Sequence, residues 1–505
     1  MRTFSYLQLL VLLLLSGGLF AQKVTYTEPE RDDYKSTEFE IIGKVGSNIL
    51  VYKANKSDYA ISVYDNAMQL KDRVTLDFLP KKLISVDFIS YADKAYMIYQ
   101  FQRKDAVYSF AATFNSEGQF DNAPVMIDST RVGYSTKENK VYSVQVSEDK
   151  SKIMVYKINQ DKEDNNVFYT FLYDHNLNLI NNSRLGIAMH KRLSLNNFNL
   201  TNDGNFIFTQ LERTQNRDYT VRGAVVIKKP KVDSFEVVML NTNTSLLDDL
   251  RLKVNNSNSQ VTLVAFYYKQ KKGNVEGLYI GKFDYTTAQV QYERLMAFGQ
   301  DLKSNAKGEA STSTAFNDYF IRQIVNTNDG GFLITAESYY TTSRYQPWNR
   351  WNYMYGGGGG YYPGFYNPYG FGGRYYNPYY WNDSQGNRYH YDNIVILSVD
   401  GEGSPVWSNV IRKSQYDDNA DLYLSYMMVN VGSELRFLYN DLERRSYVLT
   451  DNSISPDGKL NRLPLLRNLD KGFSWMPQYG KQIGARSVLI PVVYRNYICF
   501  AKIDF

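Results

Sequence analysis

The stretch "IRQIVNTNDGGFLITAE", Ile321 to Glu337, carries the pattern on which the chain is built. A strand-like run leads into the polar turn Asn-Thr-Asn-Asp-Gly-Gly, and a strongly apolar strand leaves it. Asn, Asp and Gly tolerate the positive φ that a tight hairpin needs. The unit recurs on both sides. Upstream it reads "EIIGKVGSNILVYKA" from Glu40, "ISVDFISYADKAYMIYQF" from Ile84, "YSVQVSEDKSKIMVYKI" from Tyr142, "NNFNLTNDGNFIFTQL" from Asn196 and "LRLKVNNSNSQVTLVAFY" from Leu250. Downstream it reads "LSYMMVNVGSELRFLYN" from Leu424 and "PQYGKQIGARSVLIPVVY" from Pro477. That makes eight copies.

A second hairpin follows most copies, for example "VYSFAATFNSEGQFDNAPVMID" after the second. Each unit then holds four antiparallel strands in about 50 residues, the size of a propeller blade. A lone four-stranded sheet cannot cover both of its faces, but sheets stacked around an axis can. The eighth copy ends early, at "YICFAKIDF", one strand short. The alternating stretch "QKVTYTEP" (Gln22–Pro29) can supply the missing strand and close the ring, which removes open edges. The expected fold is all-β: an eight-bladed β-propeller spanning 22–505, or a seven-bladed one if the first or last copy is not a true blade.

"NTNDGGFLITAES" (Asn326–Ser338) and "LTNDGNFIFTQ" (Leu200–Gln210) resemble the DGG-type blade repeats of secreted bacterial β-propellers. The resemblance implies the fold and no activity.

Compartment and chemistry follow from elsewhere in the chain. Arg2, the apolar run "LQLLVLLLLSGGLF" (Leu7–Phe20) and a small residue at Ala21 form the pattern of a secretory signal peptide over 1–21. No later stretch is apolar for long enough to span a bilayer as a helix. The single cysteine, Cys499, excludes an internal disulfide, so the core alone must hold the fold. The expected location is the periplasm or the outer membrane of a bacterial envelope. Net charge is only +5 and the basic residues are dispersed, so a nucleic-acid partner is not expected. The three histidines lack metal-ligand spacing, and no P-loop, G-x-S-x-G elbow or calcium-loop register occurs. No cofactor and no metal are implied. Adjacent acidic pairs, Asp248–Asp249 and Asp417–Asp418, precede the inner strands of copies five and seven. They offer an alternative reading as a carbohydrate-binding or carbohydrate-active top face, since a glycosidase needs only two carboxylates in a cleft.

One segment departs from the repeat. Residues 345–391, around "YMYGGGGGYYPGFYNPYGFGGRYYNPYYW" (Tyr353–Trp381), interrupt the sixth copy between its second and third strands. They are rich in Gly and Tyr, lack Lys and Glu, and carry three of the chain's five Trp. Propeller hairpin loops usually take a few residues. Tyr and Trp give large contact area at low entropic cost. The segment is therefore read as a contact arm for an envelope protein partner, with a glycan as a second ligand class. Its candidate anchors are Trp348, Trp351, Tyr361, Tyr362, Phe365, Tyr366, Tyr375, Tyr376, Tyr380 and Trp381. The chain as a whole is read as a non-catalytic interaction scaffold.

Overall fold

The computed structural model describes residues 22–505 apart from 133–139, 162, 164, 217, 309, 344–347, 356–374, 379–386, 419, 444–445 and 464–471. The leader read over 1–21 lies outside the described residues.

Each repeat copy folds as the leading hairpin of an antiparallel sheet of four or five strands, those starting at Leu193 and Leu246 being joined edge to edge by the single pair Thr220–Leu247. In the first sheet the strands Glu38–Val45, Asn48–Asn55, Asp58–Tyr64 and Leu70–Thr75 are neighbours in chain order. The same up-and-down order starts at Ser85–Ser90, Tyr142–Val146, Leu193–Leu200, Leu246–Asn255, Tyr319–Asn326 and Tyr426–Asn430. The eighth sheet is built differently. Its hairpin Ser487–Tyr494 and Tyr497–Asp504 is flanked on one side by two short strands, Phe473–Trp475 and Lys481–Gly484. On the other side lies Lys23–Tyr26, antiparallel, with Lys23 opposite Asp504 and Tyr26 opposite Ala501. The N-terminal strand thus completes the C-terminal sheet.

Burial explains why the second strand of every copy is so apolar. In the first sheet Asn48–Asn55 is buried at every position but the last, whereas Leu70–Thr75 is almost wholly exposed. Apolar clusters fill the spaces between sheets. Phe39, Ile49 and Val51 of the first sheet meet Leu489 and Phe500 of the eighth. Ile42, Leu50 and Ile61 meet Met97 and Tyr99 of the second. Further clusters join the second sheet to the third and so on to the eighth. Every sheet therefore has an apolar partner on both faces. This is a propeller-type all-β architecture.

The N-terminal segment is fastened by charge as well as by strand pairing. Lys53, 1% exposed, places its Nζ 2.7 Å from Glu30 and 2.8 Å from Asp32. Burial alone would raise the Asp32 pKa, but Lys53 and Arg73 together hold it below its ordinary value. Asp33 and Tyr34 add backbone bonds to the hairpin turn at Asn496–Tyr497.

The decisive turn behaves as its composition requires. Thr327 N–H donates to Gly331 O (3.0 Å) and Gly330 N–H to Thr327 O (3.2 Å), with Gly330 at φ +84°. This is a three-residue hairpin loop whose last member must be left-handed. Gly331 answers a different need: a Cβ there would sit 2.4 Å from Val399 O. Lys282 of the fifth sheet then donates to Gly330 O (2.7 Å) and Gly401 O (3.1 Å), tying adjacent sheets together. At Asp65–Gln69 and Asp174–Asn178 the same loop places Met68 and Leu177 at the left-handed position. Their apolar side chains pack into neighbouring clusters, which offsets the local strain.

Two outcomes are expected. Gly331→Ala should destabilise the fold by about 1–3 kcal/mol, because the Cβ meets a backbone oxygen that cannot move aside; Gly330→Ala should cost about 1 kcal/mol through φ alone. Denaturant titration of both variants checks the order. Burial pushes the Cys499 thiol up to about 12. Native protein at pH 8 should therefore leave a thiol reagent unreacted over minutes, and denatured protein should consume one equivalent at once.

Candidate functional site on the insertion-bearing face

The insertion leaves the sixth sheet between Phe332–Ser343 and Asn387–Val399, which project beyond the rest of that sheet. Their extra length pairs Tyr339 with Tyr391 and Ser343 with Asn387. A short strand, Gln415–Asp418, adds to it opposite Arg388–Tyr391. The connection lies on the face from which the first strand of each sheet starts.

The first described part of the insertion is a short helix, Arg350–Tyr355, preceded by Asn349, whose Oδ1 accepts the Trp351 N–H at 2.9 Å. Arg350 is its fastening. The guanidinium donates to both oxygens of Asp248, Nε to Oδ2 at 2.9 Å and Nη2 to Oδ1 at 3.0 Å. It also donates to the Tyr319 and Asn317 carbonyls and lies 4.1 Å from the Phe320 ring centroid. Arg350 is 6% exposed and Asp248 fully buried. Burial alone would lower the Arg350 pKa; the Asp248 carboxylate beside it reverses the sign and keeps it charged.

Rings pack around this pair. Trp348 donates its indole N–H to Asp318 (2.9 Å) and stands edge-on to Tyr339. Trp351 lies against Tyr219, with centroids 4.5 Å apart, and Tyr268. Met354 is buried with Phe320, Tyr339, Tyr391 and Leu424.

A second fastening lies at the first and eighth sheets. Tyr376 and Phe39 exchange backbone hydrogen bonds, 2.8 and 3.1 Å, and their rings stack at 4.9 Å. Tyr376 also meets Tyr479 edge-on and donates its hydroxyl to Tyr34 O at 2.6 Å. Its neighbour Tyr375 is half-exposed and hydrogen-bonds Glu38. Between the two fastenings runs the link from the sixth to the seventh sheet, where Leu422 joins the Tyr376 cluster and Leu424 the Met354 cluster.

Of the candidate anchors, Trp348, Trp351 and Tyr376 are thus packed against the propeller itself, and Tyr375 sits at the edge of the second fastening. Tyr361, Tyr362, Phe365, Tyr366, Tyr380 and Trp381 lie outside the described residues. Sequence reasoning missed Arg350 and Phe39. A lone arginine in "PWNRWNYMY", in a segment with no Lys or Glu, was the available signal for a charge with a buried partner.

The acidic pairs, read as preceding the inner strands, lie within strands themselves. Asp248 and Asp249 lie inside the strand Leu246–Asn255, at a register shift where Asp249 takes φ +48°. Asp249 accepts the Ile321 N–H (2.5 Å) and pairs with Arg251 (2.7 Å). Burial raises its pKa, and Arg251 only partly offsets that. Asp418 is bound by Arg388 at 2.7 and 3.2 Å in the projecting strands. Asp248, Asp249 and Asp418 are thus each committed to an arginine. Another buried carboxylate, Glu337, lies 3.1 Å from Arg322 and 2.8 Å from Lys413, and accepts from Ser425 at 2.8 Å. No group of three or more His, Cys, Asp or Glu among the described residues is arranged to hold a metal ion. No helix among them is long and apolar enough to cross a membrane.

Fold and face together define a propeller-type all-β protein with a strapped insertion. No family model matches the chain, and no curated protein does. Among solved structures, the WD40 domain of SCAP from fission yeast aligns with TM-score 0.40 at 10% identity, over 96% of this chain and 98% of that one. Prolyl oligopeptidase B from Galerina marginata aligns with TM-score 0.42 at 8% identity, over 92% of this chain; the chain spans 56% of that enzyme's length. A polysaccharide lyase, the PL25 ulvan lyase, aligns with TM-score 0.38 at 9% identity, over 82% and 90%. Likeness at this level assigns no activity.

Arg350→Met should leave Asp248 as a buried charge without its cation and cost about 3–5 kcal/mol. The double variant Asp248→Asn, Arg350→Met should recover part of that loss. Thermal melting of the four proteins in the cycle measures the coupling.

Proposed function

We propose that this chain is an exported, non-catalytic interaction scaffold of the bacterial envelope, a closed eight-bladed propeller whose insertion-bearing face receives a protein partner. The observation that carries the reading is the double fastening of the insertion. Arg350 on Asp248 and Tyr376 on Phe39 hold the chain on either side of residues 356–374. That span contains Tyr361, Tyr362, Phe365 and Tyr366 with a dense run of glycine. Fixing the two ends of a segment lowers the entropic cost of ordering it on a partner, which favours affinity. Tyr is also among the residues that dominate binding energy at protein interfaces.

The reading as an enzyme acting on carbohydrate draws less support. Of its proposed carboxylates, Asp248–Asp249 and Asp417–Asp418, three are held by an arginine: Asp248, Asp249 and Asp418.

The test keeps both fastenings intact. Residues 356–374 are replaced by a Gly/Ser linker of equal length, and intact and replaced proteins are used to recover partners from solubilised envelopes. A stoichiometric partner that is lost with the segment, at unchanged melting temperature, is the expected result. Equal recovery from both proteins overturns the assignment of the segment as the contact arm.

A further inference from the structure

A buried carboxylate in the seventh sheet has an acceptor with no donor among the described residues, and it faces the start of the N-terminal strand. Asp451 lies on the strand Ser446–Ile454 and is fully buried. Its Oδ2 accepts from Arg436 Nη1 (3.0 Å) and from the side-chain amide of Gln22 (2.7 Å). Its Oδ1 is buried without a hydrogen-bond partner among the described residues. Arg436 also pairs with Glu434, at 2.9 Å, so its charge is shared between two carboxylates. Buried acceptors are rarely left unsatisfied in a folded protein. Gln22 is the residue immediately before the strand Lys23–Tyr26 that completes the eighth sheet. It reaches across the interface between the last two sheets, where Val24 and Tyr26 also pack.

We infer that Asp451 is a receptor for the α-ammonium group of Gln22, formed when the preceding residues are removed. This rests on the export reading above, in which cleavage follows Ala21. Hydrolysis of the Ala21–Gln22 bond by a signal peptidase adds one water, leaving a carboxylate on Ala21 and a protonated amine on Gln22. That ammonium lies on the same residue as the amide already bound to Asp451, and it brings three donors to a carboxylate that lacks one. Before cleavage the same nitrogen is a neutral amide. Processing thereby tightens the strand that joins the two ends of the chain, and the mature fold is more stable than its precursor.

The inference has a chemical corollary. A free N-terminal glutamine cyclises when its neutral amine attacks its own side-chain amide carbon and ammonia leaves. A Gln22 held by Asp451 keeps its amine protonated and its amide engaged, so the folded mature protein resists cyclisation.

The test uses residues 22–505 released from a cleavable leader so that Gln22 is the first residue, compared with the chain that retains Ala21 ahead of it. Each is made with Asp451 and with Asp451→Asn. The expected result is a melting temperature at least about 2 °C higher for the Gln22 form, a difference absent in the D451N pair. Mass spectrometry should show slow loss of ammonia from the Gln22 form and faster loss from its D451N counterpart, a readout that general destabilisation of the eighth sheet does not mimic if both remain folded by circular dichroism. Equal melting of the two N-termini, or a difference that persists in D451N, overturns the receptor. The export reading is tested separately by sequencing the N-terminus of the protein recovered from cells: a start other than Gln22 removes that premise without altering the comparison in vitro.

Discussion

Two-sided burial is the constraint from which the rest of the structure follows. A four-stranded sheet built from these repeats has apolar residues on both faces, as the almost continuous burial of Asn48–Asn55 shows. Neither face can be left to water without losing on the order of 25 cal/mol for each Å² of apolar surface exposed. Each sheet must therefore have two neighbours. The first and the last can have two only if they meet each other, and the cluster of Phe39, Val51, Leu489 and Phe500 is where they do. The N-terminal strand on Tyr497–Asp504 adds a hydrogen-bonded seam at the same place.

That seam also carries buried polar interactions. Lys53 is held between Glu30 and Asp32, and Gln22 reaches Asp451. Such pairs add little net stability relative to apolar substitutes, but they are costly to break singly. They suit a junction that has to form in one register. The aromatic insertion uses the same device on the other side of the seventh sheet, with Arg350 between Asp248 and two backbone carbonyls. An arginine buried this deeply fixes where the helix Arg350–Tyr355 can sit, because the planar fork accepts few orientations.

Much of the architecture was legible in the chain before any coordinates. The hairpin units could be read because strand alternation and turn chemistry are local: Gly330 must supply a positive φ whatever surrounds it. The short eighth copy and the alternating "QKVTYTEP" implied a strand shared between the two ends, and Lys23–Tyr26 occupies that position. The place of the insertion, between second and third strands, followed from counting strands. The candidate site was less legible. Trp351 and Tyr376 were visible as rings without an evident core, yet their partners Tyr219, Tyr268 and Phe39 lie more than 80 residues away in sequence. Nothing local marks such a pairing.

By itself, then, the sequence determined the repeat, its turns, the all-β character and the odd composition of the insertion, because each depends on backbone preferences and side-chain polarity within a few residues. Only the tertiary structure decided which charges are spent inside the fold and which rings are covered. Asp248 and Asp249 look alike in sequence. Asp249 pairs with Arg251 two residues along its own strand, whereas Asp248 meets Arg350 because sheet packing places the insertion's helix over the start of the fifth sheet. A partner's identity at a buried charge is set by which surfaces close against each other, and that is a property of the assembled sheets.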